Sequence, residues 1–323
     1  MYESFYRFRE KPFSLLPDPG FLYLGKEHST ALAMLRYGLM NQAGFTVVTG
    51  EIGSGKTTLV RQLLKEANRA TTIGLIVNTG GSVDDTLHSV LAAFNIVHQP
   101  RVKVEAYRAL TQFFVGELQR RRRAVLIVDE AQNMSVQVLE ELRMLSNVNA
   151  DKHHLVQLIL VGQPQLRDLL QRRDMEQLAQ RVVVDYHLRP LNREETGQYI
   201  RHRLTVAGGN PGIFEEAAYD VVFEYTGGTP RLINVLCDTA LACGYGEQAA
   251  RIGAGLMRTV AEDKVQSGIL PLRERAEPTA SRQTAGAEAP APVGSGEEPV
   301  LPEPRQMPPM TEDDLRMLFQ KTR

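Results

Sequence analysis

The stretch FTVVTGEIGSGKTTLVRQLLKEA, residues 45–67, decides how the rest of the chain is read. It opens on an apolar, β-branched run suited to a buried strand and closes on a helical pattern. Between the two, Gly50 to Thr57 matches G-x-x-x-x-G-K-[ST], a loop pattern that needs a strand before it and a helix after it. Gly50, Gly53 and Gly55 let the backbone curl until its N–H groups face inward. The helix that follows presents its positive N-terminal end to the same point. The residues expected to hold a nucleoside triphosphate are therefore Gly50, Glu51, Ile52, Gly53, Ser54, Gly55, Lys56, Thr57 and Thr58. Lys56 would reach the β- and γ-phosphates, and the Thr57 hydroxyl would join a Mg²⁺ shell. A glycine-rich turn matching by chance is the competing reading, and the flanking strand and helix argue against it.

Outward from this motif, apolar runs of strand length recur at 72–77, 124–129, 156–162 and 182–188, separated by longer helical patterns. That alternation predicts an α/β domain with a mostly parallel sheet covered by helices. The unbroken apolar character of VLIVD and LILVG marks those two strands as central. After Pro190 the pattern is helical only: a helix from Asn192, with a capping box to Glu195, then helices at about 215–225, 230–244 and 254–265. The expected organisation is a P-loop ATPase domain with an N-terminal linker over 1–190 and a small all-helical lid over 191–268. A flexible Pro-rich linker over 269–310 and a short C-terminal helix over 311–323 complete it. The linker holds nine of the chain's 17 prolines and no aromatic residue, so it cannot bury enough apolar surface to offset its ordering entropy. Leu315, Leu318 and Phe319 form one face of the terminal helix, which either docks in a partner's groove or folds back.

The second chemical element is AVLIVDEAQ, residues 124–132, in which a central strand ends on Asp129 and Glu130. A carboxylate there stands at the ligand edge of a parallel sheet. Asp129 is expected to hold Mg²⁺ with Thr57, and Glu130 to orient or deprotonate the attacking water. The pair favours hydrolysis over phosphate transfer to a small molecule. Gln163, at the end of the next strand, is either a sensor touching the water or γ-phosphate, or a turn residue before Pro164. Arg231 follows Thr229 and Pro230 at the start of a lid helix, from which it could close on the γ-phosphate or pair with Glu224. Arg181, in LAQRV, is either an arginine finger supplied in trans or a solvated helix-end cation. Glu130, Gln163, Arg181 and Arg231 are thus the catalytic candidates.

Composition excludes other classes. The 323 residues carry 37 Lys and Arg against 38 Asp and Glu, a net charge of -1 that implies no nucleic-acid or membrane partner. Cys237 and Cys243 are too few for a disulfide framework or a zinc site and suit a reducing compartment. No apolar run approaches the ~20 residues of a membrane span, and the N-terminus lacks the apolar core of a secretory signal. A cytoplasmic protein, peripheral at the inner membrane through its partners, is expected. The basic run Arg120 to Arg123 reads as a solvated helix end complementing the dipole at the sheet edge opposite the nucleotide. His153 and His154 read as a polar loop. Leu16-Pro17-Asp18-Pro19, with Phe13 and Tyr23, either wraps the adenine or latches onto the sheet.

The segments MYESFYRFREKPFSLLPDPGFLYL, LIVDEAQNM, LVGQPQL, LAQRV, YHLRPL and TGGTPRLINVLCD, with the phosphate loop, resemble the AAA+ ATPases of the ExeA type from bacterial general secretion. The resemblance is closer still to the ATPases of exosortase (PEP-CTERM) and exopolysaccharide systems, and it covers about residues 1–268. It implies a five-stranded sheet with the phosphate-loop strand between the sensor and terminal strands, Mg²⁺-ATP hydrolysis, and assembly as a homo-oligomeric ring with envelope polysaccharide or secretion proteins. By this resemblance Gln163 stands at sensor one, where Asn is usual, Arg181 at the finger and Arg231 at sensor two. Proteins of the ExeA type continue into a membrane helix and a wall-binding module, whereas this chain continues into a Pro-rich stretch, so direct wall binding is not expected. The alternative function is a DNA-associated regulatory ATPase like those of transposition, which the balanced charge disfavours. A third is a nucleotide-switched scaffold without turnover.

Overall fold

A computed structural model describes residues 1–66, 70–77, 81–97, 102–147, 149–150 and 153–273. The expectations for the terminal helix and for most of the Pro-rich linker fall outside those residues. Five parallel strands form the central sheet: β1 (Phe45–Gly50), β2 (Thr71–Ile76), β3 (Arg123–Val128), β4 (Val156–Gly162) and β5 (Val182–Leu188), in the order β2-β3-β4-β1-β5. The phosphate-loop strand β1 thus lies between β4 and β5, as the resemblance implied. Its register sets Val47 opposite Leu160 on one side and Asp185 on the other.

Two-residue alternation along the inner strands sends side chains to two separate cores. Val47, Leu126, Val128, Leu158 and Leu160 pack with Leu91, Phe114 and Leu142 on one face. Val48, Val125, Ile127, Ile159 and Val161 pack with Leu32, Leu35, Leu59 and Leu63 on the other. Helices α1 (Lys26–Met40) and α2 (Lys56–Glu66) cover the second face; α3 (Val83–Ala93), α4 (Lys103–Gln119) and α5 (Val136–Ser146) cover the first. Because both faces are covered, β1 and β4 are buried along their whole length, while the edge strands β2 and β5 are only partly so. This is why the inner strands read as unbroken apolar runs.

After the sheet come α6 (Arg193–Val206), α7 (Glu216–Thr226), α8 (Pro230–Gly246) and α9 (Ala254–Gln266). Helix α6 starts on the expected capping box: the Glu195 N–H donates to Asn192 Oδ1 at 2.9 Å, and the Asn192 N–H to Glu195 Oε2 at 3.1 Å. Thr229 is the N-cap of α8, although its side chain makes no capping hydrogen bond. The four helices enclose a third core, and the chain's first residues are built into it: Tyr2, Tyr6, Phe8, Phe13 and Phe21 pack with Tyr199, Ile200, Ile233 and Leu236. A latch of this segment on the sheet is therefore corrected. The sheet's faces are already occupied by helices, and the open apolar surface belongs to α6 to α9, where burying each aromatic ring contributes roughly 1.5–3 kcal/mol.

Two smaller readings also change. The run Arg120 to Arg123 does not close a helix as a block: Arg120 caps α4, Arg121 takes a left-handed turn at φ 57°, and Arg123 is the first residue of β3. Buried Glu117 holds the corner, accepting a hydrogen bond from Arg120 at 2.9 Å and facing Arg122 at 3.9 Å. His153 and His154 form a two-residue strand paired antiparallel with Asn149 and Ala150, a piece too short for any periodicity to register.

Candidate nucleotide site

The phosphate loop leaves β1 at Gly50 and re-enters regular structure at Lys56, the first residue of α2. Lys56 is 7% exposed, and its ammonium donates to the carbonyls of Gly50 and Glu51, each at 2.8 Å. Burial pulls its pKa down, and the carboxylates of Glu130, Asp129 and Glu51 oppose that pull. Thr57, next on the helix, donates its hydroxyl to Asp129 Oδ2 at 2.9 Å. Asp129, 3% exposed, stands immediately beyond β3, with its own N–H bonded to the carbonyl of Ile76 at 2.8 Å. A hydroxyl and a carboxylate joined this closely are hard oxygen donors, the set that suits Mg²⁺ brought in with a triphosphate.

Glu130 has a left-handed backbone, φ 57° and ψ 36°, which costs a non-glycine residue roughly 1–2 kcal/mol. Its N–H donates to Asp129 Oδ1 at 3.0 Å, and its side chain is turned toward the end of β4. There Glu130 Oε2 accepts from Gln132 Nε2 at 2.6 Å and from Gln163 Nε2 at 3.2 Å. The Gln163 backbone N–H donates to Gln132 Oε1 at 2.9 Å, and since a backbone N–H can only donate, the Gln132 amide is held with its NH₂ toward the carboxylate. The two glutamines tie the ends of β3 and β4 together through Glu130.

The lid helix meets the loop directly. The Arg231 N–H donates to the carbonyl of Gly53 at 3.1 Å, and a Cβ on Gly53, whose φ is +78°, would lie 2.3 Å from the Cβ of Arg231. Only glycine permits that approach. One cavity then gathers Ile52, Gly53, Gly55, Lys56, Thr57, Thr58, Glu130, Gln163 and Arg231 at its loop end. Gly50, Glu51, Ser54 and Asp129 are not among this lining; Asp129 is buried against Thr57, and Glu51 is exposed. The chain from Ser14 to Asp18 and Tyr23 also wall the cavity, while Phe13 turns away, 1% exposed, into the helical core. Arg181 is not brought to the cavity; half-buried before β5, it donates to Ser146 Oγ at 3.3 Å.

Other lining residues were not anticipated. His28 of α1 is buried with Nε2 2.9 Å from the carbonyl of Ser54. Tyr199 and Arg203 of α6 and Asn234 of α8 also line the cavity. Asn234 carried a signal, since it lies three residues beyond Arg231 on one helix face. Gln132 sat inside the DEAQ motif. His28, Tyr199 and Arg203 had no local pattern to mark them.

Parallel sheet, phosphate loop, strand-end acids and helical lid together define the class: an AAA-type P-loop ATPase fold. Residues 39–170 match the AAA domain family. Over 256 residues the chain is 38% identical to general secretion pathway protein A of Aeromonas hydrophila, which covers 79% of this chain and 47% of that protein. It thus spans about half the length of this curated relative. Among solved structures, Cdc6p from Pyrobaculum aerophilum is similar with a TM-score of 0.59 at 17% identity, covering 78% of this chain and 70% of that one. The ORC2 protein of Aeropyrum pernix is similar with a TM-score of 0.58 at 16% identity, covering 79% and 71%. At those identities the likeness is one of fold alone. Among the described residues, no helix is long and apolar enough to cross a membrane.

Proposed function

We propose that the cavity binds Mg²⁺-ATP and hydrolyses it to drive or regulate the assembly of an envelope exopolysaccharide, protein-sorting or secretion apparatus. The observation that carries the chemical part is the convergence of Lys56, Thr57, Glu130, Gln163 and Arg231 on one cavity, with Asp129 bonded to Thr57. The similarity to general secretion pathway protein A supports the biological part. Lys56 exchanges its two loop carbonyls for phosphate oxygens, and Thr57 and Asp129 hold the metal. A bound Mg²⁺ neutralises charge on the phosphates. Glu130 positions and deprotonates the attacking water, Gln163 reports the γ-phosphate to it, and Arg231 closes from the lid. Arg181 acts in trans on a neighbouring copy, within a ring held at the cytoplasmic face by its partners. We assign the ATPase domain to 1–190 and the lid to 191–268, as expected from sequence. The DNA-regulator alternative gains nothing from the Cdc6p and ORC2 likeness, which is of fold, and the net charge of -1 speaks against it.

Gln163→Ala removes one of two amides on Glu130, and turnover falls about ten- to a hundredfold with ATP affinity unchanged. Steady-state phosphate release beside calorimetric binding checks this; full turnover would return Gln163 to a turn residue. For the assembly role, Glu130→Gln loaded with ATP retains envelope polysaccharide or secretion proteins in an affinity pull-down, identified by mass spectrometry, and Lys56→Ala does not. The same partners retained by both variants would remove nucleotide control from the proposal.

A further inference from the structure

The cavity is also lined by a buried cation, Arg203, whose hydrogen-bond partners among the described residues are neutral oxygens. Arg203 is 6% exposed. Its Nε donates to the carbonyl of Pro12 at 2.6 Å, Nη2 to the carbonyl of Ser14 at 3.2 Å, and Nη1 to the phenol oxygen of Tyr199 at 2.9 Å. The rings of Phe21 and Tyr199 lie 4.8 and 5.7 Å from its guanidinium carbon. Burying a cation this way is costly, and a neutral side chain could fill the same space. What no neutral hydroxyl or amide can supply is an unconditional donor.

That property fixes a direction. A guanidinium cannot accept, so the Tyr199 oxygen must accept from Arg203, and the one phenolic proton is left for its other neighbour. That neighbour is Asn234 Oδ1, at 2.8 Å. Burial raises the Tyr199 pKa, which keeps the proton in place. With Oδ1 taken, the group Asn234 still has to offer is its NH₂, and Asn234, 6% exposed, lines the cavity. Without the cation the phenol could accept from the amide instead, and the amide would be free to turn over.

Position along α8 says which part of a ligand meets this donor. Arg231 and Asn234 are three residues apart, so they share a helix face and differ by about 4.5 Å along the axis. Arg231 sits on the phosphate loop through its N–H. Asn234 is bonded to Tyr199, whose ring lies 6.1 Å from that of Tyr23, and Leu16, Pro17 and Tyr23 line the same cavity, so a nucleoside whose phosphates occupy the loop would meet this wall. We infer that Arg203, acting through Tyr199, holds Asn234 as a hydrogen-bond donor to an acceptor atom of the nucleoside of bound ATP, a purine ring nitrogen or a ribose oxygen. Asn234 is thus a specificity-determining residue, and Arg203 and Tyr199 are positioning residues. The inference rests on the ATP-site reading above. It also gives the same guanidinium a second task, because Pro12 and Ser14 begin the strap that forms this wall.

Calorimetric titration of the full chain tests it, with Mg-ATP, Mg-2′-deoxyATP and Mg-tripolyphosphate as probes and thermal melts as a fold control. Asn234→Asp keeps the Tyr199 bond but replaces the donor by an acceptor. ATP affinity falls about tenfold or more, while tripolyphosphate affinity is unchanged. Tyr199→Phe, which frees the amide, weakens ATP binding by a smaller factor in the same pattern. A loss confined to ATP assigns the acceptor to the ribose 2′ oxygen; a loss equal for ATP and 2′-deoxyATP excludes that oxygen and leaves the base or another ribose oxygen. Wild-type ATP affinity in both variants, with Lys56→Ala still failing to bind, overturns the inference and leaves the site reading standing. If Lys56→Ala binds ATP like the wild type, the site reading fails and takes this inference with it.

Discussion

Lys56→Ala abolishes measurable ATP binding at concentrations that saturate the wild type. The ammonium is almost fully buried and held 2.8 Å from two loop carbonyls, so it stands in the loop before a ligand arrives and exchanges those carbonyls for phosphate oxygens. Charge-assisted hydrogen bonds contribute roughly 1.5–3 kcal/mol each, and a triphosphate takes more than one from this group, so the expected loss is about a hundredfold or more. The fold survives, because alanine is the best residue for the first turn of α2 and the loop's shape is set by its glycines and by the lid contact at Gly53. Calorimetry with a thermal melt alongside separates lost binding from lost structure. Binding within a few-fold of wild type would remove Lys56 from the site.

Glu130→Gln has the opposite signature: ATP remains bound and turnover stops. The substitution changes one oxygen to NH₂ and leaves the volume alone. Gln132 and Gln163 donate to a single carboxylate oxygen, so the new amide can turn its own oxygen toward them and keep the β3–β4 tie. The proton acceptor is lost. General-base catalysis contributes about 10²- to 10⁴-fold, and the rate of phosphate release falls by that range with ATP affinity intact. The left-handed backbone at this position supports the assignment, since a strained non-glycine residue persists where its side chain must be aimed, and here it aims the carboxylate at the end of β4.

Legibility in the sequence followed the range of the forces involved. Strands β4 and β5 coincide with their apolar runs and the other three lie within a residue of theirs; for the inner strands β1, β3 and β4 burial on both faces leaves an unbroken pattern, whereas the edge strands β2 and β5 are only partly buried. The capping box at Asn192 and the Thr229-Pro230-Arg231 helix start were equally visible, being set by neighbours in sequence. The destination of the N-terminal aromatics was not. Phe13 and Tyr6 are apolar whether they pack on a sheet or a lid, and which surface is open depends on helices two hundred residues away. The relay from Arg203 through Tyr199 to Asn234 was hidden for the same reason: its members lie on two helices and bind a strap near residue 12. Gln132 was adjacent to the acids, but only the meeting of β3 with β4 turns it into a clamp on Glu130. Arg181 shows the reverse case, a motif residue that one chain leaves outside its own cavity, bonded to Ser146.

The central claim is that this cavity hydrolyses ATP with Glu130 as the base. The most direct measurement is phosphate release by wild type and Glu130→Gln under saturating Mg²⁺-ATP, with bound ATP quantified in the same samples. The account predicts steady release by the wild type and, in the variant, stoichiometric ATP retained with release reduced at least about a hundredfold. Equal release by the two proteins would contradict it.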